Sequence, residues 1–170
     1  LTGLATRQGW EQRLRRDERF CREFGEPAAV LLIELDDLKR SNELHGHSAG
    51  DEQLRVAGTV LREVLAGRHY GARITGDRLG ALMIGVNEHE VGEFERVVRQ
   101  ALSTSDVSDS IGVARRTPEA GLAGAIAAAE AAIESAHTAR ASTVADASHV
   151  ASLMEAIERG AIKAYFQPIV

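Results

Sequence analysis

The stretch RITGDRL, residues 73–79, has apolar residues at both of its ends. Ala72 and Ile74 precede Gly76, and the mainly apolar run of residues 79–84 follows it. A tight glycine-containing turn between two such runs is typical of a β-hairpin. The tip of this hairpin, with Gly76 and Asp77, can bring backbone N–H groups and a carboxylate to a phosphate group or a metal ion. Taken alone, a Gly-Asp turn is far more often structural than functional.

A second stretch, LLIELDDLKRSNELHGHSAGD at residues 31–51, adds a cluster of carboxylates. Residues 30–33 form a continuous apolar run, as expected of a strand that is buried on both faces. The run ends at Glu34, Asp36 and Asp37. Carboxylates at the end of a central strand lie at the rim of a sheet, where ligands often bind. For Asp36, the role of a helix N-cap and that of a metal ligand both stay open.

Spaced motifs over most of the chain resemble the GGDEF family of diguanylate cyclases. That family has a strand ending D-x-D-x-F-K-x-x-N-D-x-x-G-H-x-x-G-D and then a hairpin R-x-G-G-[DE]-E-F. This chain has ELDDLKRSNELHGHSAGD at residues 34–51 and RITGDRL at residues 73–79. Its LTGLATR (1–7) is similar to the family's L-T-G-L-x-N-R, and its SIGVA (110–114) to the S-x-G-V-A strand. The resemblance extends to about residue 141, and the order of the motifs makes it specific.

The predicted elements favour an α+β fold. Helical and strand patterns alternate along the chain, and the hairpin requires an antiparallel pair. The resemblance implies a sandwich like the palm of nucleotidyl cyclases, with a central, mostly antiparallel sheet wrapped by helices. The patterns predict helices near residues 6–24, 87–102 and 118–140 and a strand over residues 28–35.

The resemblance implies a site for GTP. Asn42 and Asp51 match the family's guanine-recognising pair, and an amide and a carboxylate suit the O6 acceptor and the N1 and N2 donors of guanine. Asp51 would also be favourable as an acid in the first turn of a helix. Lys39, Gly76 and Arg78 match further nucleotide-binding positions.

The resemblance also implies Mg²⁺ alongside GTP. Glu34 and Asp77 match the carboxylates that hold the metal in the family, and the backbone of Leu35 matches a further ligand. Carboxylate and carbonyl oxygens are the ligands that Mg²⁺ prefers. His45 and His47 lack a third ligand at a suitable spacing, so the sequence does not predict a zinc site.

Five positions of the implied metal, phosphate and reaction site depart from the family pattern, and no catalytic set is intact. Arg78 stands where the family has an acid implicated in the reaction, and a guanidinium cannot accept a proton at neutral pH. Glu34 replaces an aspartate, which moves the ligating oxygens by about an ångström. Thr75 replaces the first hairpin glycine, and we expect strain there if the turn needs a positive φ. His137 and Ala141 replace two cationic phosphate contacts.

Arg78 allows two interpretations. Its guanidinium suits phosphate oxygens and would then replace part of the charge that Mg²⁺ supplies in active relatives. Alternatively, it forms an ion pair with Asp77 or Glu34. The two interpretations differ in whether nucleotide binding depends on a metal.

Composition narrows the classes of function. The chain has 170 residues and a formal net charge of −5, which excludes the basic footprint of a nucleic-acid-binding domain. It has no apolar run of membrane-spanning length and no signal-peptide pattern. Cys21 is the single cysteine, so no internal disulfide can form, and this fits a cytoplasmic location.

The domain organisation is expected to be tripartite. Residues 1–141 form the GGDEF-like domain, and the small polar residues 142–149 are predicted to be a linker. Residues 150–170, which end in QPIV, resemble the first helix and strand of an EAL domain, the cyclic di-GMP phosphodiesterase fold. We therefore expect the chain to be a piece of a longer GGDEF–EAL protein that continues beyond residue 170.

The sequence thus predicts a catalytically degenerate GGDEF domain, which serves as a GTP-binding regulatory module in a bacterial cyclic di-GMP signalling protein. Its expected partners are the attached EAL domain, whose phosphodiesterase activity stays open, and a second copy of the chain. Two alternatives stay open. One is a weakly active diguanylate cyclase that uses Glu34 and Asp77, and the other is a dimerisation module that binds no nucleotide. Intact Asn42 and Asp51 favour nucleotide binding over the last alternative.

Overall fold

The structure of the chain, a computed structural model, describes residues 1–36, 38–105, 107 and 109–158, with the side chains of all these except residues 39 and 141–158. The chain divides into two compact units, Leu1–Glu134 and Ser135–Val170. No helix within the described ranges is long and apolar enough to cross a membrane.

The first unit is built on one four-stranded sheet with the strand order β2-β3-β1-β4. All three pairings are antiparallel. The strands are β1 (Ala28–Leu35), β2 (Tyr70–Arg73), β3 (Arg78–Ile84) and β4 (Asp109–Arg115). The predicted α+β fold, with a mostly antiparallel sheet and a hairpin across residues 73–79, is confirmed.

The described residues form five helices: α1 (Arg7–Phe24), α2 (Leu38–His45), α3 (His47–Leu65), α4 (Glu88–Ser103) and α5 (Gly121–Glu158). Local sequence signals set several of their ends. The side chain of Thr6 caps α1, and Gly25, with φ +69°, is its C-cap. Asn87 and Glu90 form a capping box at the start of α4.

The alternating side chains of β1 separate two cores. Leu31 and Ile33 pack in a cluster with residues of α3 and α4, whereas Val30 and Leu32 pack in a cluster with residues of α1 and α5. Successive side chains of a strand point to opposite faces of the sheet. Glu34, the next even-numbered residue of β1, therefore belongs to the face that α1 and α5 cover.

Gly112 allows α5 to approach β4 closely. A Cβ atom at this position would lie 1.9 Å from the carbonyl oxygen of Ala129. Since a backbone atom of a packed helix cannot move aside as a side chain can, only glycine fits here without displacing α5.

A partly buried ion pair joins Glu18 of α1 to Arg116, the residue that follows β4. The Glu18 carboxylate accepts hydrogen bonds from Arg116 Nε at 3.1 Å and Nη2 at 2.8 Å. The backbone N–H of Leu122 donates a further hydrogen bond to it, at 2.7 Å. The hydrogen bonds from Arg116 lower the pKa of Glu18, although partial burial opposes the shift.

The C-terminal part of the chain differs from the expected organisation in its helix length and in its unit boundary. Residues 142–149, the predicted linker, have helical backbone and continue α5, which was expected to end near residue 140. The boundary between the compact units also falls earlier, after Glu134. The predicted helix of the EAL-like segment agrees with α5 up to Glu158, while the predicted strand lies outside the described residues. The assignment to an EAL domain stays a prediction.

We predict that Gly112→Ala lowers the free energy of unfolding by about 1–3 kcal/mol, because the added methyl group overlaps the backbone of α5. Urea denaturation measures the change. Gly92→Ala is the matched control, since no atom lies within 4 Å of its Cβ position on α4. The control is expected to raise stability by up to about 1 kcal/mol through helix propensity. Equal effects of the two substitutions would contradict the close approach.

We further predict that Glu18→Gln lowers stability by about 1.5–3 kcal/mol at neutral pH, since the charged hydrogen bonds to Arg116 are weakened. The folded-state pKa of Glu18 lies below its unfolded value. Its contribution is therefore present above the unfolded pKa and is lost as the pH falls through the folded pKa. The stability difference between wild type and variant should shrink in acid. Glu11→Gln, which removes an exposed ion pair of the same helix, should show little difference at any pH, and a pH-independent difference for Glu18→Gln would refute the assignment.

Candidate functional site

The hairpin between β2 and β3 is closed by backbone and side-chain hydrogen bonds. Ile74 N donates to Arg78 O at 2.8 Å. Thr75 Oγ1 donates to Asp77 Oδ1 at 2.8 Å and accepts from Arg78 N at 3.2 Å. The condition under which strain was expected at Thr75 is not met, because among the described non-glycine residues Ala66 alone has a positive φ. The threonine hydroxyl instead stabilises the turn.

Arg73 fixes the tip of the hairpin. Its Nε donates to Thr75 O at 3.2 Å, and its Nη2 donates to Gly76 O at 2.7 Å. These acceptors are carbonyl oxygens rather than carboxylates, so these contacts leave the charge of Arg73 uncompensated. Arg73 was not among the predicted nucleotide-binding or metal-binding residues, although the hairpin motif begins with it.

A cavity of about 760 Å³ lies between this hairpin and the helices α2 and α3. It brings together four residues of the predicted nucleotide and metal sites: Asn42, Asp51, Gly76 and Asp77. Its volume lies in the range of small-molecule sites. The remaining lining residues are Leu38, Glu43, His47, Gly50, Leu54 and Arg73.

The amide of Asn42 is oriented by a hydrogen bond between helices. Gly50 N donates to Asn42 Oδ1 at 3.2 Å. A Cβ atom on residue 50 would lie only 2.3 Å from that oxygen, so the contact requires glycine. Because the carbonyl oxygen is engaged, the NH₂ group of Asn42 remains to donate to a ligand. The exposed carboxylate of Asp51, one residue after Gly50, is an acceptor on the same cavity wall.

Arg78 and Glu34 lie outside this cavity lining and form an ion pair on the sheet face covered by α1 and α5. The two residues are directly opposite in the register of β1 and β3. Arg78 Nε donates to Glu34 Oε2 at 3.1 Å, and Arg78 Nη2 donates to the same oxygen. The ion-pair interpretation of Arg78 is therefore the arrangement found, with Glu34 rather than Asp77 as the partner.

Glu130 of α5 is a second partner of Arg78. Arg78 Nη1 donates to Glu130 Oε1 at 2.9 Å. The hydrogen bonds with Glu34 raise the pKa of Arg78, despite its partial burial, and Glu130 adds to the shift. Glu130 was not predicted from the sequence as a partner of Arg78, because contact between residues 52 positions apart depends on how α5 packs on the sheet.

Three further predicted residues have more limited roles in the structure. Leu35 N donates to Asp77 O at 3.0 Å, which joins the end of β1 to the hairpin tip. Asp36 accepts a hydrogen bond from the buried hydroxyl of Ser110 at 3.1 Å. The side chain of Lys39 lies outside the described atoms, so its nucleotide contact stays a prediction.

The residues that would hold Mg²⁺ do not fit the ion in this arrangement. One oxygen of Glu34 accepts two guanidinium hydrogen bonds, and Asp77 accepts the hydroxyl of Thr75. Like charges ~4 Å apart at an effective dielectric of ~20 repel by on the order of 4 kcal/mol per unit charge before screening. Among the described side chains, no group of three or more His, Cys, Asp or Glu residues is arranged to hold a metal ion.

The charge of the cavity suits a base more than a polyphosphate. Three carboxylates, of Glu43, Asp51 and Asp77, line it together with the single guanidinium of Arg73. This set carries an excess of two negative charges when His47 is neutral. Carboxylates accept hydrogen bonds from ring N–H and amino groups, whereas they repel phosphates.

Residues 1–144 of the chain match the protein family "Diguanylate cyclase, GGDEF domain". The chain belongs to the GGDEF family. This agrees with the sequence motifs and with the antiparallel sheet.

A curated relative, the probable diguanylate cyclase DgcC of Escherichia coli K12, is 28% identical over 127 residues, which are 70% of this chain and 34% of DgcC. The cyclic di-GMP phosphodiesterase NbdA of Pseudomonas aeruginosa is 33% identical over 90 residues, 53% of this chain and 12% of NbdA. The chain thus spans about a third of DgcC and a smaller part of NbdA.

Among solved structures, the GGDEF domain of YfiN (TpbB) from P. aeruginosa is similar, with a TM-score of 0.69 and 28% identity. The superposition covers 80% of this chain and 91% of the YfiN chain. This chain therefore shares the palm-like GGDEF fold with its family, as both the sequence match and the structural match show.

Proposed function

We propose that this GGDEF domain is a regulatory module that binds a guanine nucleotide and does not condense it to cyclic di-GMP. The observation that carries the proposal is the ion-pair network of Arg78 with Glu34 and Glu130. It occupies the positions where the family resemblance implies a reactive acid and a metal-binding carboxylate.

The network opposes catalysis in two ways. Condensation of nucleoside triphosphates requires removal of a hydroxyl proton and stabilisation of charge on the phosphates. Arg78 cannot accept the proton at neutral pH, and its hydrogen bonds with Glu34 raise its pKa further. The same guanidinium engages Glu34, so the carboxylate is not left open to a divalent cation.

The cavity supports recognition of guanine. The NH₂ group of Asn42, oriented through Gly50, would donate to the O6 atom of guanine. Asp51 would accept hydrogen bonds from N1–H and the N2 amino group. Adenine has an amino group where guanine has O6, so the same pair would discriminate against it. A domain of this kind would report nucleotide level without consuming the nucleotide.

The proposed setting is a cytoplasmic cyclic di-GMP signalling protein in which an EAL domain follows this chain. The similarity to NbdA, a cyclic di-GMP phosphodiesterase by description, supports this setting, as does the EAL-like sequence of residues 150–170. Homodimerisation is part of the same proposal, because the resemblance to the GGDEF family implies two facing subunits that each hold one GTP.

We predict that the purified protein forms no cyclic di-GMP from GTP with Mg²⁺ or Mn²⁺, as measured by chromatography against a no-enzyme blank. Arg78→Glu alone should not restore product, because residues that act as a unit are non-additive. Thr75, His137 and Ala141 would still differ from the family pattern. Product above the blank for the wild type would refute the proposal and favour the weakly active cyclase.

We predict that guanosine and GTP bind more tightly than adenosine and ATP in calorimetric titrations. Asn42→Ala and Asp51→Asn should each cost about 1–3 kcal/mol, because each leaves polar groups of guanine unpaired. Glu43→Gln is the matched control, since Glu43 lines the same cavity but is not assigned to the base. Equal affinities for guanine and adenine compounds would refute this binding mode.

A further inference from the structure

Arg78 is a junction between three elements of the fold. It lies at the start of β3, and its guanidinium contacts Glu34 on β1 and Glu130 on α5. The two contacts span 44 and 52 residues of sequence. The position of this one side chain therefore depends on both the sheet and the helix.

The two contacts are unequal. The Glu34 side chain is 22% exposed and receives two hydrogen bonds from Arg78, whereas the Glu130 side chain is 48% exposed and receives one. Ion pairs with an exposed partner are weak and are screened by salt. If another anion competes for Arg78, Glu130 is the partner that is displaced first.

The nucleotide cavity lies next to this junction along the hairpin. Asp77 lines the cavity, and its carboxylate accepts the Thr75 hydroxyl, which in turn accepts from Arg78 N. Phosphates of a nucleotide in the cavity would meet the repulsion of Asp77 and Asp51. A guanidinium that turns from Glu130 to the phosphates would relieve this repulsion, since phosphate and guanidinium form strong charge-assisted hydrogen bonds.

We propose that the Arg78–Glu130 contact is autoinhibitory: Glu130 positions Arg78 away from the cavity, and the phosphates of a bound guanine nucleotide displace Glu130 from Arg78. The inference rests on the proposed function and adds a regulatory step to the same site. Glu130 is a positioning residue in this scheme, because it acts on the nucleotide only through Arg78.

The displaced element is the helix that continues out of the first compact unit. Glu130 lies in α5, which extends from Gly121 to Glu158. Loss of the contact removes one restraint from the segment of residues 121–134, whereas the packing of Leu122, Ala129 and Ile133 on the sheet is retained. Nucleotide binding thus changes the dynamics of α5 without unfolding it.

The test compares GTP with guanosine, which has the same base and no phosphates. Binding is measured by calorimetry in EDTA for the wild type, Glu130→Gln and Glu88→Gln. The last variant is the matched control, because it removes the ion pair of Glu88 with Arg115, also exposed and also between elements. Glu130→Gln is expected to tighten GTP binding by about two- to fivefold, the range of an exposed ion pair, and to leave guanosine binding unchanged. The control should change neither.

A second set of variants separates positioning from a general structural effect. In an Arg78→Gln background, Glu130→Gln should no longer affect GTP affinity, and Glu130→Asp should behave more like the wild type than Glu130→Gln does. Hydrogen exchange of peptides from residues 121–134 should accelerate with GTP and not with guanosine. Circular dichroism checks that each variant is folded.

The outcomes distinguish this inference from the function on which it rests. If the wild type binds neither GTP nor guanosine, the proposed function fails and the inference fails with it. If GTP binds but Glu130→Gln leaves its affinity unchanged, or tightens guanosine equally, only the autoinhibitory contact is refuted. The autoinhibitory contact is also refuted if GTP leaves the hydrogen exchange of residues 121–134 unchanged.

Discussion

The ion pair of Glu34 and Arg78 is the constraint on which the chemistry of this domain depends. The two residues face each other across β1 and β3 at the end of the sheet. Oε2 of Glu34 accepts hydrogen bonds from both Nε and Nη2 of Arg78. A single substitution to arginine therefore has two consequences. It replaces an acid with a permanent cation, and it engages the neighbouring carboxylate that a divalent cation would need. Both follow from the antiparallel register, which places position 78 opposite position 34.

The residues proposed to recognise the base lie apart from this ion pair. Asn42 and Asp51 lie with α2 and α3, whereas Glu34 and Arg78 lie on the face covered by α1 and α5. The hairpin tip, where Gly76 and Asp77 line the cavity, connects the two regions. With this arrangement, position 78 can change while Asn42 and Asp51 are retained. This is the physical reason for proposing a domain that binds a guanine nucleotide without converting it to cyclic di-GMP.

Much of the fold could be predicted from sequence because its signals are local. The apolar run of β1, the capping residues Thr6 and Asn87, and the turn at Gly76 each depend on neighbours within a few residues. Glu130 could not be predicted in the same way, because its contact with Arg78 depends on the close packing of α5 against Gly112. The assignments of the candidate site residues stay predictions. Their grouping was not predicted from the sequence, because the face on which Glu34 lies follows from the alternation of β1.

Two expectations can be compared with the backbone. Strain at Thr75 was expected if the turn used a positive φ; it does not, and the hydroxyl bonds Asp77 and the backbone of Arg78. The small polar residues 142–149 were predicted to be a linker, and their backbone is helical. Alanine is the strongest helix former, and no proline or glycine lies among these residues. The helix therefore continues through them, and a domain boundary at this point is compatible with a helical connection.

The central claim is that Arg78 keeps a divalent cation from Glu34. Binding of Mn²⁺, monitored by electron paramagnetic resonance, tests this claim most directly. In the wild type, Arg78 should keep the ion from Glu34, so Glu34→Gln should not change the amount of Mn²⁺ bound. In Arg78→Ala, Glu34 loses its guanidinium partner, and Mn²⁺ binding should increase in a manner that Glu34→Gln abolishes. Glu34-dependent binding of Mn²⁺ by the wild type would contradict the account.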